Sequence, residues 1–342
     1  MTDYRPKNIL VTGGAGFIGS NYVHHMLAHY PEINIVNLDK LTYAGSRDNL
    51  MGLPDQSRHI FIQGDICDAE LVSGILEQQR IDCIVHFAAE SHVDRSISAP
   101  AAFVQSNILG TFTLLEAARV FWGQTSGLSP TQCRFHHIST DEVFGSLELG
   151  SRAFCETSIY QPSSPYSASK AGSDHLVKAW HHTYGLPITL SYCSNNYGPR
   201  QHREKFIPTI IEACLRQAQI PVYGNGSNIR DWLYVEDHCS AIDRILRYGN
   251  VGEAYNIGGN NEWANLDICH LICDLMDERM PANASHRELI KFVDDRPGHD
   301  WRYAIDATKI TAELGWSPRE TFSSGIARVI DQHCQQYSAA PG

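Results

Sequence analysis

The chain contains no apolar run near the ~20 residues that a bilayer-spanning helix requires, so a helical membrane span is excluded. It does not open on a basic segment followed by an apolar one. MTDYRPKN leads straight into the first apolar run, and a cytoplasmic location is expected. Positive charge is scarce: 27 Lys and Arg face 38 Asp and Glu, for a net charge of −11. A nucleic-acid binder would normally carry a basic face. An anionic small molecule stays admissible, because a few placed arginines can hold a diphosphate inside an acidic protein. No CxxC pair occurs among the ten cysteines, and the paired histidines (His24-His25, His136-His137, His181-His182) lack zinc-ligand spacing. No metal is expected. The scattered thiols read as a reduced protein, and Cys269 and Cys273, on one helix face, read as core. There is no internal repeat and no low-complexity tract.

What is present is an alternation. Short apolar runs at 9–11, 34–38, 59–62, 83–87, 135–138 and 188–192 read as strands. Amphipathic stretches at 21–29, 71–79 and 101–122 read as the helices between them. This βαβα order predicts an α/β fold, a doubly wound parallel sheet of the Rossmann kind, with right-handed crossovers. After about residue 195 the pattern loosens into Gly-, Pro- and Asn-rich loops, with helices near 208–217 and 266–277. At roughly 150 residues per domain, 342 residues fit one large α/β unit with an added lobe. The expected division is 1–195 for the dinucleotide-binding domain, with 232–262 returning to it, and 196–231 and 263–342 for a smaller C-terminal substrate-binding lobe.

The first strand ends in Gly13-Gly14-Ala15-Gly16-Phe17-Ile18-Gly19. Gly13 permits a tight turn, Gly16 lets backbone approach a pyrophosphate, and Gly19 lets helix and strand pack closely. The N–H groups and dipole of the following helix then face the phosphates. A bare glycine pattern is weak, but this one follows a strand, opens a helix, and has Asp39 about 20 residues on. A carboxylate there accepts from ribose hydroxyls and repels the extra phosphate of NADP, so NAD is the expected cofactor, with neighbouring Lys40 pulling slightly the other way. Asp65-Ile66 and Phe87-Ala88-Ala89 follow the third and fourth strands, where the chain can pass beside the cofactor.

Tyr166 and Lys170 form a YxxxK pair at a helix start marked by Ser164 and Pro165. Four residues apart, they share one helix face. A phenol ionises about three units too high for a base at pH 7, and a nearby ammonium and a positive nicotinamide ring can supply much of the shift. An isolated YxxxK is often chance; behind a dinucleotide fingerprint it is not. Ser139-Thr140-Asp141-Glu142-Val143-Phe144-Gly145 follows the fifth strand. Strand carboxyl ends are where such sheets bind ligands. Thr140 can bond a sugar hydroxyl. Asp141 and Glu142 reach one substrate only if the chain turns there, and Gly145 allows it; otherwise they are a capping Asp and a solvated Glu.

Together these segments resemble the extended short-chain dehydrogenase/reductase family and, within it, the sugar-nucleotide 4,6-dehydratases. The resemblance covers nearly the whole chain. It is carried by 39–45 (with Leu41 and Thr42), Ala88-Ala89-Glu90-Ser91-His92-Val93-Asp94-Arg95-Ser96-Ile97, Ser139 to Glu142, Tyr166 to Lys170, Asn195 to Pro199, Ile229 to His238, Tyr255 to Gly259 and Asp295 to His299. It implies that Thr140, Asp141, Glu142, Tyr166 and Lys170 are catalytic. Gly13, Gly16, Phe17, Ile18, Gly19, Asp39, Lys40, Leu41, Thr42, Asp65, Ile66, Phe87, Ala88, Ala89, Ser91, Ser106, Tyr166, Lys170 and Asn196 would lie along NAD. Ser91, Arg95, Thr140, Asn195, Lys205, Phe206, Pro221, Val222, Tyr223, Arg230, Asn265, Asp295, Arg296, Pro297, Gly298 and His299 would hold a nucleotide-diphosphate sugar, dTDP-glucose before other nucleotides. A homodimer through the helices near 101–122 and 166–184 is also implied.

Three positions depart from the family pattern: Phe144 replaces a usual Tyr, Ser106 a common Thr, and 200–205 reads Arg-Gln-His-Arg-Glu-Lys. The last borders the substrate and bears on base selectivity. The expected reaction is oxidation at C4 with Tyr166 as base, loss of water across C5–C6 with Glu142 taking the C5 proton and Asp141 protonating the C6 hydroxyl, then hydride return to C6. The rivals are a nucleotide-sugar 4-epimerase, which has no use for the acid pair, a UDP-sugar dehydratase, and a non-enzymatic NAD-binding sensor.

Overall fold

The computed structural model describes residues 3–295 and 300–339. In chain order its first elements are β1 (Asn8–Thr12), α1 (Phe17–His29), β2 (Asn34–Asp39), β3 (His59–Gln63), α2 (Ala69–Gln78), β4 (Cys83–His86), α3 (Val93–Ser98), α4 (Pro100–Phe103), α5 (Thr111–Val120), β5 (Arg134–Thr140), α6 (Pro165–Tyr184) and β6 (Ile188–Cys193). Then come β7 (Asn195–Tyr197), α7 (Phe206–Leu215), β8 (Ile220–Tyr223), β9 (Ile229–Tyr234), α8 (Val235–Tyr248), β10 (Ala254–Ile257), β11 (Glu262–Ala264), α9 (Asn265–Arg279), β12 (Ile290–Val293), α10 (Thr308–Leu314) and α11 (Phe322–Ala339).

Seven strands pair in parallel in the order β10-β6-β5-β4-β1-β2-β3. The chain winds outward from β1 through β2 to β3, then returns to start again at β4. The reversal lies between β1 and β4, and open sheets of this kind bind ligands outside the carboxyl ends at that point. Buried on both faces, β1, β4 and β5 read as unbroken apolar or satisfied stretches rather than alternating ones. One core, with Tyr22, Met26, Ile242 and Ile245, packs α1 and α8 on one face; a second, with Val72, Leu114, Phe135 and Val177, packs α2, α5 and α6 on the other.

The remaining strands build a second region: β11-β9-β7 in one small sheet and β12-β8 in another, over a third core containing Ile207, Trp232, Ile272 and Phe322. β10 joins the large sheet, and Tyr234 closes β9 while the helix of 234–248 begins one residue later. Cys269 and Cys273 are buried, as expected of core thiols. Two helix expectations need correction. α1 begins at Phe17, not near Asn21, because the glycine turn feeds directly into it. The helix expected over 101–122 is not uniform: wider π-helical turns at Val104–Gly110 and Phe121–Thr125 flank α5. The first surrounds Asn107, whose side chain is committed across the fold.

Candidate active site

Gly13 turns with φ +71°, and a Cβ there would lie 2.6 Å from the backbone nitrogen of Ala88. The loop after β4 thus presses on the loop after β1. Gly19 packs against the carbonyl of Gly13, while Gly16 meets only that carbonyl, at 3.2 Å. The start of α1 has no side-chain cap, so its N–H groups are offered outward. Asp39, buried at the end of β2, accepts from the amides of Ala15 and Leu41 at 2.9 and 2.8 Å. These two bonds leave further lone pairs on the carboxylate for hydroxyls. Lys40, the residue that clouded the cofactor choice, is 2.7 Å from Asp65 in an ion pair. An uncapped helix start, a glycine cradle and a carboxylate at the next strand end fit NAD. Gly13→Ala would combine left-handed strain of ~1–2 kcal/mol with the overlap at Ala88. That protein is expected to purify with little bound NAD, measured by release on acid denaturation.

Asn107 went unnoticed in the sequence. Its amide oxygen accepts from Glu90 N at 2.8 Å, and its nitrogen donates to Glu90 O at 3.0 Å and Ser169 Oγ at 2.8 Å. It fixes the loop carrying Ala88, Ala89 and Ser91 to α6. Ser106 lies in the same π turn. Below, His86 bridges Thr12 and Thr111 at 2.7 and 3.0 Å, joining β1, β4 and α5.

The acid pair sits in the turn the sequence required. Asp141–Phe144 forms a single 3₁₀ turn, Thr140 Oγ1 accepts from Glu142 N at 3.3 Å, and Gly145 takes φ +88°. Asp141 is buried, and its Oδ2 has no hydrogen-bond partner among the described residues. Burial pushes its carboxyl well above the usual range; the charges of Glu142 and Asp231 push the same way and Arg230 opposes. Tyr166 stands at the start of α6, where Ser164 and Ser167 form a capping box behind Pro165. Its phenol is raised by burial, then by the charges of Glu142 and Cys193, with Thr140 opposing and Asp141 adding, so the charges of both carboxyls are felt at the phenol.

Lys170 is held from below: its Nζ donates to the carbonyl of Ile138 at 2.7 Å and lies 3.4 Å from His137 Nε2. One turn of helix separates it from Tyr166, and the main-chain acceptor on β5 draws the ammonium inward.

Residues distant in sequence complete the site. Tyr303 is raised by burial, then by the charges of Glu142 and Asp300, and its hydroxyl donates to Asp300 Oδ2. Arg230 stacks over the Tyr303 ring at 4.3 Å and donates to the carbonyls of Ile229 and Asp300 at 2.7 and 2.9 Å. Asp231 accepts from Gly259 and Asn261 amides. Around them, Asn195 pairs with Trp232, Asn265 opens α9, Phe206 opens α7, and Pro221, Val222 and Tyr223 lie in β8 against β12. Asp295 lies beside Gly224. Asn196 Oδ1 accepts from His238 Nδ1 at 2.9 Å. Lys205 reaches the carbonyl of Ser91 at 3.5 Å, and Arg95 pairs with Glu204 at 3.2 Å. Arg296, Pro297, Gly298 and His299 lie outside the described residues. Among those described, no cluster suited to a metal occurs, and no helix is long and apolar enough to cross a membrane.

Two of the three departures have a structural account. Phe144 is packed among Phe154, Tyr160 and Tyr192, with centroids 4.8–5.5 Å away, rather than toward the acid pair. Arg200, at φ +67°, donates to Asn21 Oδ1 at 2.8 Å and so ties its loop to α1. Nothing in the structure explains Ser106.

A family model described as GDP-mannose 4,6 dehydratase matches residues 10–329. The dTDP-glucose 4,6-dehydratase of Shigella flexneri is 54% identical over 331 residues, covering 94% of this chain and 91% of its own. That of Neisseria gonorrhoeae is 53% identical, covering 95% and 94%. The solved dTDP-glucose 4,6-dehydratase of Bacillus anthracis in complex with NAD aligns with TM-score 0.86 and 42% identity over 97% of this chain and 98% of that one. A UDP-glucose 4-epimerase of Thermotoga maritima has TM-score 0.84 at 26% identity, with 96% and 99% covered.

Proposed function

The chain belongs to the dTDP-glucose 4,6-dehydratase family, and from that premise we propose that it converts dTDP-glucose to dTDP-4-keto-6-deoxy-glucose with the loss of one water. The observation that carries this reading is Asp141 beside Glu142: its buried Oδ2 has no hydrogen-bond partner among the described residues, and the charges of both carboxyls act on the Tyr166 phenol. A 4-epimerase needs no such acid.

In this reading Thr140 and Tyr166 hold the C4 hydroxyl, and the Tyr166 phenolate takes its proton. NAD, held by Gly13 to Gly19 and Asp39, would supply the hydride acceptor for C4 and, once reduced, the hydride for C6. With C4 a ketone, the C5 proton is acidic, and Glu142 removes it. Asp141, held neutral by burial and by Glu142, gives its proton to the departing C6 hydroxyl. Glu142 then returns a proton to C5. The atoms balance: the C4 hydroxyl proton and the C6 hydroxyl leave as water, once Tyr166 has released its proton and Asp141 has regained one. Gly13 to Gly19, Asp39 and the loop 87–91 would hold the cofactor. Lys205, Arg230, Asn265 and the segment 221–223 would hold the nucleotide diphosphate, where guanidinium suits phosphate oxygens.

The test is incubation with dTDP-, UDP-, CDP- and GDP-sugars and mass detection of the products. Water loss from dTDP-glucose above the others is expected; an isomer of unchanged mass would end the reading. We also propose a homodimer through the helical run 100–125 and α6. Val104, Leu109, Phe112 and Val120 are exposed apolar side chains along it, and Phe112 meets Trp180 of α6 edge-on. Sedimentation showing only monomer at micromolar concentration would remove the dimer.

A further inference from the structure

The catalytic reading leaves a set of buried polar groups beneath Lys170 without a task. His137 Nε2, 3.4 Å from the Lys170 ammonium, is also 3.1 Å from Asp174 Oδ1. The ring's other nitrogen has no partner, so Nε2 alone is wedged between cation and carboxyl. Asp174 Oδ1 makes no well-directed hydrogen bond, and the 3.1 Å contact is an electrostatic one. Its Oδ2 is better served, accepting from Ser139 Oγ at 2.7 Å and from the Tyr160 hydroxyl at 3.1 Å. Lys178 donates to Tyr160 and Tyr192 at 3.2 and 2.9 Å. Lys170, His137 and Asp174 are 4%, 0% and 0% exposed.

An ammonium this deeply buried sheds its proton unless an opposite charge holds it. The groups facing Lys170 come from four elements. His86 on β4 and His137 on β5 are buried and favour the neutral ring. Cys193 on β6 favours the neutral thiol, raised to about 12. From α6 come the phenol of Tyr166 and the carboxyl of Asp174. Asp174 is thus the anion available: burial raises its carboxyl above the usual range, and the charge of Lys170, the Ser139 hydroxyl, the charge of Lys178 and Tyr160 pull it back toward the ionised form.

We propose that Asp174 is the counter-ion of Lys170, acting across His137, and that this pair keeps the ammonium charged and in place beneath Tyr166. His137 and Asp174 are positioning residues; neither touches substrate. The kinetic readout rests on the dehydratase reading. Asp174→Asn keeps the shape and removes the charge. The ammonium form is the working one, and losing its counter-ion lowers the pH at which it deprotonates. The alkaline limb of the kcat profile is therefore expected to move down by about one unit or more, an approximately tenfold loss on that limb. The acid limb and the KM for dTDP-glucose should stay within about twofold of wild type. A uniform loss at all pH values, or an unmoved profile, would overturn the proposal.

A second measurement uses the wild-type protein and needs no turnover, so its failure is distinct from failure of the dehydratase reading. Neutron diffraction at pH 7 is expected to show three deuterons on Lys170 Nζ and none on Asp174. A neutral Asp174, or a neutral Lys170, overturns the assignment even if the variant fails to fold.

Discussion

Glu142→Gln is expected to oxidise dTDP-glucose at C4 and stop there. Mixed with substrate, the variant should develop the near-ultraviolet absorbance of NADH and hold it, while product formation falls by ~10²–10⁴, the range for loss of a general base. The amide matches the carboxylate in size, and Thr140 and Gly145, which shape the 3₁₀ turn, are unchanged. It cannot accept the C5 proton. Dehydration near the wild-type rate would show that another group does that work. Loss of the NADH signal as well would place Glu142 in the oxidation, with Tyr166.

The companion prediction concerns Asp141, and its sign follows from burial. A free aspartate, with a pKa near ~3.9, is fully ionised at neutral pH and has no proton to give. Burial, then the Glu142 charge, raises Asp141 well above that value. The protonated form is the working one, so elimination is retained at low pH and lost as pH rises through the raised pKa. Asp141→Asn is expected to cut kcat by ~10²–10⁴ at every pH while C4 oxidation persists. Stability supplies an independent check. A carboxyl whose folded pKa is raised binds its proton more tightly in the folded state, so folding is favoured as pH falls and disfavoured above the folded pKa. The always-neutral Asn escapes that cost. Its Tm should exceed that of wild type at pH 8, and the gap should close toward pH 4. A variant that melts lower than wild type at pH 8 would mean that Asp141 is held as a satisfied carboxylate.

These effects depend on residues whose placement was legible in the sequence to different degrees. The glycine turn, Asp39, the acid pair and YxxxK were legible because each is set by a local rule: a strand end, a helix start, a fixed spacing on one face. Ser164 and Pro165 marked the start of α6 before any coordinates. What surrounds them was not legible. Tyr303 and Asp231, whose electrostatics couple to the acid pair, come from segments far along the chain, and three-residue strands such as β7 and β11 leave no periodicity to read. Asn107 looked like one polar residue in an amphipathic stretch; its clamp on Glu90 exists only once β4 and α6 are neighbours. Lys170 was assigned to a face of that helix, but its bond to the Ile138 carbonyl could not be read from the spacing. Spacing along a helix fixes a direction, not the acceptor that a long side chain will find.

The central claim is that one hexose is met on one side by Tyr166 and on the other by an unequally protonated Asp141–Glu142 pair. It is tested most directly with dTDP-glucose deuterated at C4. The account predicts a product lighter by one water that retains the deuterium, now at C6. A product of unchanged mass with its C4 configuration inverted, or one that has lost water and the label together, would contradict it.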